Sequence, residues 1–487
     1  FADDLVLLSD GWKGMLHNIS ILESFCKLTG LRAQARKCHG FLVTPTHDSY
    51  TINNCVPWEI GGAGLHMINP DESERYLGVK VNPWIGISKP DLTDQLRTWI
   101  TRIDEAPLKP SQKVAILNQH AVPRLMYLAD HAQCKQNTLN ALDSEVRKAI
   151  KLWLRLPAST CNGLLYARAK DGGLGALRLA KLIPSIQARR MHRMANSTDV
   201  IVRSLMQTRK ATEDFEKLWI KAGGTADSAP DLSEPVTPIE IFFESAASTG
   251  SERRPPPKPK YPVPCDWRQE EFLSWTKLPV QGAGIQHFQN DTISNAWLTS
   301  HRGFRERHYI AALQLRANVY PTRESLGRGR RGALIMCRKC SAKYESCSHI
   351  LGQCPSVQRA RTSRHNKICD IVAKEADRQG WVVYKEPNLR TDKGELRKPD
   401  LVFSKADKAL VVDVTVRFEY AADNLSKAAA EKVNYYSSMT GQITELTKSR
   451  EVAFFGFPVG ARGKWPPSND IFLAQLGLPK YKINPSR

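Results

Sequence analysis

The sequence predicts a chain of several domains, of α+β and α/β character. Its 487 residues exceed the length of one typical domain, and an apolar fraction of 41% is enough for several sizeable cores. Short β-like apolar runs and amphipathic helical patterns alternate along the chain. Of the eleven cysteines, four cluster between Cys337 and Cys354, which favours a small intracellular metal-binding unit over a disulfide framework.

The charge balance favours a polyanionic partner. The chain has 70 Lys and Arg residues against 49 Asp and Glu, a net charge of +21. Nucleic acid is the commonest partner of so basic a chain. No apolar run is long enough to span a bilayer and no secretory signal is found, so we expect no membrane partner. The first residue is Phe1 and not Met, which indicates a fragment whose upstream part is missing.

The first 85 residues mix short strands with one helix. We expect a buried strand at 5–8, because four apolar residues follow one another there. Apolar side chains at helical spacing predict a helix over Met15–Leu28, with Gly30 as its stop. Further strands are expected at 40–43 and 76–79.

From residue 86 the pattern becomes helical. Pro110 opens one predicted helix, and a second runs roughly from Leu139 to Leu156 with a basic and an apolar side. Helices continue to residue 330, interrupted by a basic, proline-rich segment at 253–264. Consecutive prolines favour extended structure, so this segment is either a domain boundary or a strap along a phosphate backbone.

A carboxylate pair stands at the start of the chain. Asp3 and Asp4 precede the apolar run at 5–8, and adjacent carboxylates at a strand turn can hold divalent cations for two-metal chemistry. Together with the helix, Gly30, Lys37 and the 76–79 run, this order resembles the later palm motifs of reverse transcriptases. The resemblance implies that Asp3 and Asp4 bind catalytic magnesium and that Lys37 lies near the incoming nucleotide.

The same resemblance also implies what these residues lack. The family's palm takes a third metal-binding aspartate from an earlier strand and templates the nucleotide with its fingers, and neither is found in this sequence. We therefore expect half of a polymerase site, which alone does not polymerise. The helical region after residue 86 matches the family's thumb in position and in basic character.

The cysteine cluster has the spacing of a zinc knuckle. Cys337, Cys340, His349 and Cys354 supply three thiolates and one imidazole, which suits tetrahedral zinc in a closed, structural site. Cys347 is a rival for the third position. Basic residues surround the cluster, so Arg338 and Lys339 are predicted to contact nucleic acid.

A second carboxylate pair lies near the C-terminus. Asp400 precedes a short apolar strand, and Asp413 interrupts a longer one at 410–416. A turn of four residues joins the two strands into a hairpin on which both carboxylates can converge. A buried carboxylate needs a partner or a metal, and two of them can bind magnesium beside a scissile phosphate.

This pattern resembles the PD-(D/E)xK nuclease superfamily, with one departure. The position two residues after Asp413 holds Thr415, not lysine. The resemblance implies that the lysine has moved to the following helix, where Lys432 is preferred over Lys427 and Glu431. Glu386 is a further candidate acidic ligand. Predicted secondary structure around the pair comprises a helix near 368–376, a strand at 381–384, a helix at about 424–436 and a strand at 452–455.

The order of these motifs resembles a particular family: the Pol polyproteins of non-LTR (type-1) retrotransposons of the R-two-like, site-specific kind. In that family a Cys-Cys-His-Cys knuckle precedes a restriction-like endonuclease whose first segment is matched here by Arg364-His365-Asn366. Arg364 and His365 are then expected to contact DNA. The predicted domains are a palm remnant (1–85), a thumb (86–156), a helical connector (157–330), the knuckle (331–360) and the endonuclease (361–487).

The resemblance implies an activity and its partners. The intact element would nick chromosomal DNA, with ribosomal RNA genes as candidate targets, through Asp400, Asp413 and Lys432. The new 3′ end would prime reverse transcription of the element RNA. Such a protein is made in the cytoplasm and acts in the nucleus, with magnesium and zinc as cofactors and a second full-length copy as a candidate partner. The alternative is a catalytically dead remnant that only binds nucleic acid.

Overall fold

A computed structural model describes residues 4–88, 91–131, 134–232, 262–300 and 303–478. These residues form two compact units. The first takes its described residues from segments 1–106, 116–145 and 179–264, and the second from 107–115, 146–178 and 265–487. The mixture of helices with small sheets confirms the α+β character, whereas the predicted division into five domains stays a prediction. No helix in the described ranges is long and apolar enough to cross a bilayer.

The first unit begins with one helix and a series of short strands. Helix α1 spans Trp12–Thr29 and ends at Gly30, which confirms the predicted helix and its stop. Its buried Ile19 packs on Trp58 and Ile60. The strands are β1 His39–Gly40, β2 Leu42–Pro45, β3 Tyr50–Asn53, β4 Glu59–Ile60, β5 Ala63–Gly64, β6 His66–Met67, β7 Glu74–Tyr76, β8 Val79–Asn82 and β9 Gly86–Ile87.

Two predicted strands in this region are wrong. Residues 4–9 have no regular secondary structure, and Leu5 and Leu8 are 62% and 82% exposed. An apolar run becomes a strand only beside a partner strand, and no described strand pairs with it. The run at 76–79 is a turn: Leu77 and Gly78 have φ values of 46° and 83° and join β7 to β8 as a hairpin.

The helical region after residue 86 agrees with the predicted pattern. The predicted helix at Pro110 is two helices joined by a π-helical turn at Leu117–Ala121, and the second predicted helix is α5. Buried Asp143 of α5 accepts hydrogen bonds from the backbone N–H groups of Leu179 and Ala180 and so caps α7. The helices are α2 Leu92–Glu105, α3 Pro110–Ile116, α4 Val122–His131, α5 Gln136–Trp153, α6 Asn162–Tyr166, α7 Leu179–Ala195, α8 Val200–Met206 and α9 Arg209–Ala222.

The second unit continues with five helices that lead to the C-terminal sheet. They are α10 Trp267–Thr276, α11 Ala296–Thr299, α12 Glu306–Arg316, α13 Arg323–Gly327 and α14 Cys347–Gly352. The 253–264 segment lies mostly outside the described residues, so its two interpretations stay open. The remaining elements are α15 Gln358–Arg378, β10 Val382–Lys385, β11 Leu389–Arg390, β12 Leu396–Arg397, β13 Leu401–Lys405, β14 Lys408–Arg417, α16 Asn424–Tyr436, α17 Thr440–Thr447, β15 Glu451–Gly460 and α18 Ser468–Gln475.

The C-terminal sheet confirms the predicted strands and their order in the sequence. Its four strands run β10-β13-β14-β15. The first two contacts are antiparallel and the last, between β14 and β15, is parallel. One face packs against α15 and α18, and the other against α16 and α17, with separate apolar cores. The sheet is therefore a buried middle layer whose strand ends position polar side chains.

A buried charge network holds two distant segments of the second unit together. Glu419 and Arg462 form an ion pair of 3.1 Å in which each side chain is 1% exposed. The Arg462 guanidinium also donates to the backbone carbonyl oxygen of Arg316 at 3.2 Å. Arg316 is itself fully buried over the ring of Phe288. The carboxylate of Glu419 thus pairs directly with Arg462 and also lies near the guanidinium of Arg316, which has Asp291 as a second acidic neighbour.

We expect Glu419→Gln to destabilise this unit by about 3–5 kcal/mol, because the change leaves the buried Arg462 without its carboxylate partner. Urea unfolding of the full chain would measure the loss. The matched control is Glu451→Gln, since Glu451 pairs with Lys408 at the surface and is 70% exposed. That control should cost less than about 1 kcal/mol. Equal shifts in the two variants would contradict the expectation.

Candidate active site and metal centre

The two predicted nuclease carboxylates lie on neighbouring strands. Leu401 of β13 pairs with Val412 of β14 in the antiparallel register. Asp400 and Asp413 are the next residues towards the same end of the hairpin, so they lie opposite each other. The carboxylate Oδ2 of Asp400 accepts a hydrogen bond of 2.7 Å from the backbone N–H of Val414. The structure therefore brings the two residues together, as the hairpin predicts, while their catalytic role stays a prediction.

Strand alternation decides which face the second carboxylate occupies. Val411 packs in the core beneath α16 and α17, so Asp413, two residues further, points to the same side. Its side chain is only 6% exposed. Burial, and then the nearby Asp400 carboxylate, raise the pKa of Asp413, while Lys432 opposes the shift. A buried carboxylate beside a second one is a favourable place for a cation.

Lys432 is the basic residue at this carboxylate. Its Nζ lies 2.7 Å from Asp413 Oδ1, and its side chain is 34% exposed. Of the alternatives, Lys427 pairs with Asp423 at the surface at 2.6 Å, and Glu431 is exposed. Thr415 is buried on the same face of β14 as Asp413. Lys432 thus reaches, from a helix, the side of the sheet to which position 415 also points.

A glycine that the sequence analysis missed permits this approach. Gly456 of β15 pairs directly with Asp413. A Cβ atom at Gly456 would overlap the backbone of Ala429 in α16. The helix can therefore lie against the sheet here only because residue 456 has no side chain. The available signal was a glycine inside an apolar strand, which often marks the close approach of another backbone.

His365 holds the other carboxylate. Its Nε2 lies 3.0 Å from Asp400 Oδ2 and 3.1 Å from the carbonyl oxygen of Val414. The hydrogen bond to Asp400 raises the pKa of His365 to about 11. The His365 ring is thus directed at a carboxylate within the protein. Its predicted contact with DNA stays a prediction. Glu386 donates its backbone N–H to the carbonyl oxygen of Asp400 at 3.1 Å, and its side chain is exposed.

Three thiols and one imidazole converge in the predicted knuckle. The Sγ atoms of Cys337 and Cys354 are 3.9 Å apart, those of Cys354 and Cys340 are 4.0 Å apart, and Cys340 Sγ lies 3.3 Å from His349 Nε2. Zinc bonds are about 2.3 Å to sulfur and 2.0–2.1 Å to nitrogen. In a tetrahedral site two sulfur ligands are therefore about 3.8 Å apart, and a sulfur and a nitrogen ligand are about 3.5 Å apart. The donor set and its spacing therefore fit zinc. Cys347 is buried and is not a member of this group.

The chain around the knuckle fixes these ligands. Ser346 caps the short helix α14 by accepting a hydrogen bond from the backbone N–H of His349 at 3.1 Å. Buried Glu345 accepts from the side chain of Arg338 at 3.0 Å, and mainly for that reason its pKa falls to about 2. Arg364 donates to the carbonyl oxygen of Leu351 at 3.0 Å. Two predicted nucleic-acid contacts are thus engaged within the protein.

The remaining predicted site residues lie at exposed positions or outside the described chain. Asp3 is outside the described residues, and Asp4 is exposed with no strand beside it. Lys37 is exposed in a short 3-10 turn, and Lys339 is exposed next to the knuckle. The described residues therefore assemble no polymerase site, and these four roles stay predictions.

Comparison with known proteins gives these sites a context. The chain is 27% identical to a Pol polyprotein of the type-1 retrotransposable element R2 from Popillia japonica, over 98% of this chain and 92% of that protein. It is 26% identical to the R2 Pol polyprotein of Nasonia vitripennis, over 99% of this chain and 43% of that protein.

A third relative extends the same relationship. The Pol polyprotein of the type-2 element R2DM from Drosophila melanogaster is 25% identical over 98% of this chain and 42% of that protein. The chain is homologous to R2 retrotransposon Pol polyproteins along nearly its whole length. It spans less than half of the Nasonia and Drosophila R2 proteins. No protein-family model matches it.

Proposed function

We propose that this chain acts within a retrotransposon Pol polyprotein that combines RNA-directed DNA polymerase and endonuclease activities. The endonuclease nicks chromosomal DNA, and the new 3′ end primes reverse transcription of the element RNA. Ribosomal RNA genes are the proposed target, the nucleus is the proposed site of action, and a second full-length copy is a candidate partner. Homology to R2 Pol polyproteins along nearly the whole chain supports this role.

The endonuclease part of the proposal is carried by one observation, the 2.7 Å contact between Lys432 and the buried carboxylate of Asp413. The four-stranded sheet with helices on both faces suits a PD-(D/E)xK nuclease. Asp400 and Asp413 would hold magnesium, whose oxygen preference they meet. Bound magnesium would supply polarisation of the scissile phosphate and a lower pKa for a coordinated water.

The chain's own residues have separate tasks in this reaction. Lys432 is free to donate from its ammonium group to the attacking water or to a phosphate oxygen, because its Nζ has three N–H bonds and Asp413 takes one. His365 fixes the orientation of the Asp400 carboxylate from α15. The attacking water loses a proton to solvent as its oxygen bonds to phosphorus, the P–O3′ bond breaks, and the 3′ oxygen takes up a proton and leaves as a hydroxyl.

Zinc and the polymerase residues complete the proposal. Zinc bound by Cys337, Cys340, His349 and Cys354 would fold the knuckle, since four protein ligands leave no open position for substrate. Asp3 and Asp4 would serve the polymerase as metal-binding carboxylates, and Lys37 would lie near its nucleotide. Lys339, Arg338, Arg364 and His365 remain proposed contacts to nucleic acid near the endonuclease.

The experiment is a nicking assay with the full chain, magnesium and a mixed library of duplexes that includes ribosomal RNA gene fragments. Magnesium-dependent nicks at defined positions would support the endonuclease. Binding that weakens steeply with salt, without nicking in any metal, would favour the alternative of a catalytically dead remnant. A shallow salt dependence would contradict direct binding to nucleic acid.

Gly456→Ala should impair this endonuclease without touching its polar residues. The new methyl group would push α16 away from β15, and Lys432 would move away from Asp413. We expect slower nicking and a loss of about 1–3 kcal/mol in unfolding free energy. The matched control is Gly441→Ala in α17, where a Cβ meets no atom within 4 Å. If both variants nick at the wild-type rate, the close approach of α16 has no role in catalysis.

A further inference from the structure

A second group of metal-ligating side chains lies in the first unit, outside the sites described above. His39, His66 and Glu74 each place one ligand atom within 4.8 Å of the others. The side chains of His39 and Glu74 are 31% and 36% exposed, and that of His66 is 48% exposed. The three side chains are therefore partly covered by the protein and remain accessible to solvent.

Strand pairing places the two histidines side by side. Strands β1 and β6 are parallel neighbours, and His39 is paired in register with His66. Backbone hydrogen bonds on both sides of the pair hold this register, from His66 N to Cys38 O at 3.3 Å and from Ile68 N to Gly40 O at 2.9 Å. The rings meet edge to face, with centroids 5.4 Å apart. The pairing therefore places both imidazoles on the same side of β1 and β6.

The carboxylates come from a different part of the unit. Glu74 begins β7, which belongs to the separate β7-β8-β9 sheet, and its Oε1 lies 3.6 Å from His39 Nδ1. Glu72 places Oε2 3.5 Å from His66 Nε2 and accepts a hydrogen bond from the backbone N–H of Asn69 at 3.0 Å. Each imidazole therefore faces a carboxylate, and Glu74 connects the two small sheets.

We propose that His39, His66 and Glu74 bind one zinc-type divalent cation. Two imidazoles and one carboxylate suit zinc or a neighbouring first-row metal, whereas magnesium prefers oxygen ligands alone. Ligand atoms around tetrahedral zinc lie about 3.3 Å apart, so rotation of these exposed side chains closes the remaining gaps. Water or the Glu72 carboxylate would occupy the fourth coordination position.

Such an ion would act as a cross-link. Strands β1 and β6 have two residues each, and β7 has three, so hydrogen bonding between these strands contributes little stability. A metal held by both sheets would add binding free energy to the folded state. The site is separate from the knuckle and from the endonuclease carboxylates, and it does not depend on the proposed function.

Metal counting on the full chain tests the proposal. Protein with a zinc-loaded knuckle is dialysed against Zn²⁺ or Co²⁺, and bound metal is measured per chain. We expect His66→Ala and His39→Ala to bind one equivalent fewer than the wild type. His47→Ala should bind as the wild type does, because His47 lies in the same region but is 98% exposed and contacts Asp48, outside the proposed ligand group. The knuckle is common to all variants. So is the group formed by His365, Cys369 and Asp400, whose ligand atoms also lie within 4.8 Å of one another. Neither therefore affects the difference in metal content between variants.

Two further measurements separate a lost ligand from lost folding. Glu74→Gln keeps the size of the side chain and removes its charge, so we expect at least about a tenfold weaker affinity for the extra ion. Cobalt at this site should add ligand-field absorption without the sulfur-to-metal charge transfer that the knuckle's thiolates give. Equal metal content in the wild type and both histidine variants would overturn the proposal. The group would then be only two ion pairs, His39 with Glu74 and His66 with Glu72. A chelator-insensitive unfolding midpoint of the first unit would overturn the cross-linking role.

Discussion

Asp413→Asn is expected to lower magnesium-dependent nicking of duplex DNA on the order of a thousandfold, while binding to the same duplex stays within about twofold. The amide has the size of the carboxylate but no charge, so it cannot share a divalent cation with Asp400. It also leaves the Lys432 ammonium without the partner that it has at 2.7 Å. Single-turnover nicking with saturating protein would measure the loss independently of affinity.

We expect Asp413→Asn to stay folded, so that unfolding does not cause the slower nicking. Burial and the neighbouring Asp400 raise the pKa of Asp413 in the folded chain. A raised carboxyl pKa means that the folded state disfavours the ionised form, so Asp413 lowers stability as the pH rises through its unfolded-state value. The neutral variant should therefore unfold at the same or a higher urea concentration at neutral pH.

The matched control is Asp407→Asn in the turn of the same hairpin. Asp407 lies 3.9 Å from Arg450 at the surface, with its side chain 57% exposed. This variant should nick at the wild-type rate. If Asp413→Asn nicks as fast as Asp407→Asn, the carboxylate pair is not the catalytic site, and the nuclease interpretation of the sheet fails.

Much of the C-terminal fold could be predicted because its signals are local. The apolar run at 410–416 has the length and composition of a buried strand, and β14 occupies Lys408–Arg417. The short turn before it makes a hairpin the simplest connection, so the approach of Asp400 to Asp413 follows from the order of residues along the chain. The knuckle is local in the same sense, since its ligands lie between Cys337 and Cys354.

Most of the errors and omissions concern contacts between distant residues, and one concerns an unfavourable backbone conformation in a local turn. The apolar run at 5–8 has the composition of a strand, but a strand also needs a neighbour, and the pattern of one segment does not supply it. The turn at Leu77 required φ > 0 at a leucine, which residue preferences disfavour. The contact of His365 with Asp400 joins α15 to the start of β13, and the role of Gly456 depends on α16. Such pairings depend on packing that no single segment specifies.

Removal of zinc is expected to unfold the knuckle while the C-terminal sheet stays folded. Structural zinc contributes about 10–16 kcal/mol to the folding of small units of this kind. The sheet has its own apolar cores on both faces, so it does not depend on the ion. In the full chain, a chelator should expose the peptide bonds after Lys339 and Lys343 to trypsin, and added zinc should restore their protection.

Substitutions within the cluster show which residues hold the ion. Cys354→Ser and His349→Ala should each lose zinc and become trypsin-sensitive, because a tetrahedral site with three ligands binds far more weakly than one with four. Cys347→Ala is the matched control: this thiol is buried in the same small unit but stands apart from the converging ligands. This variant should keep one equivalent of zinc and lose only the packing contacts of the buried thiol. If Cys347→Ala loses zinc while His349→Ala retains it, the third ligand is Cys347, and the knuckle must rearrange from the geometry described above.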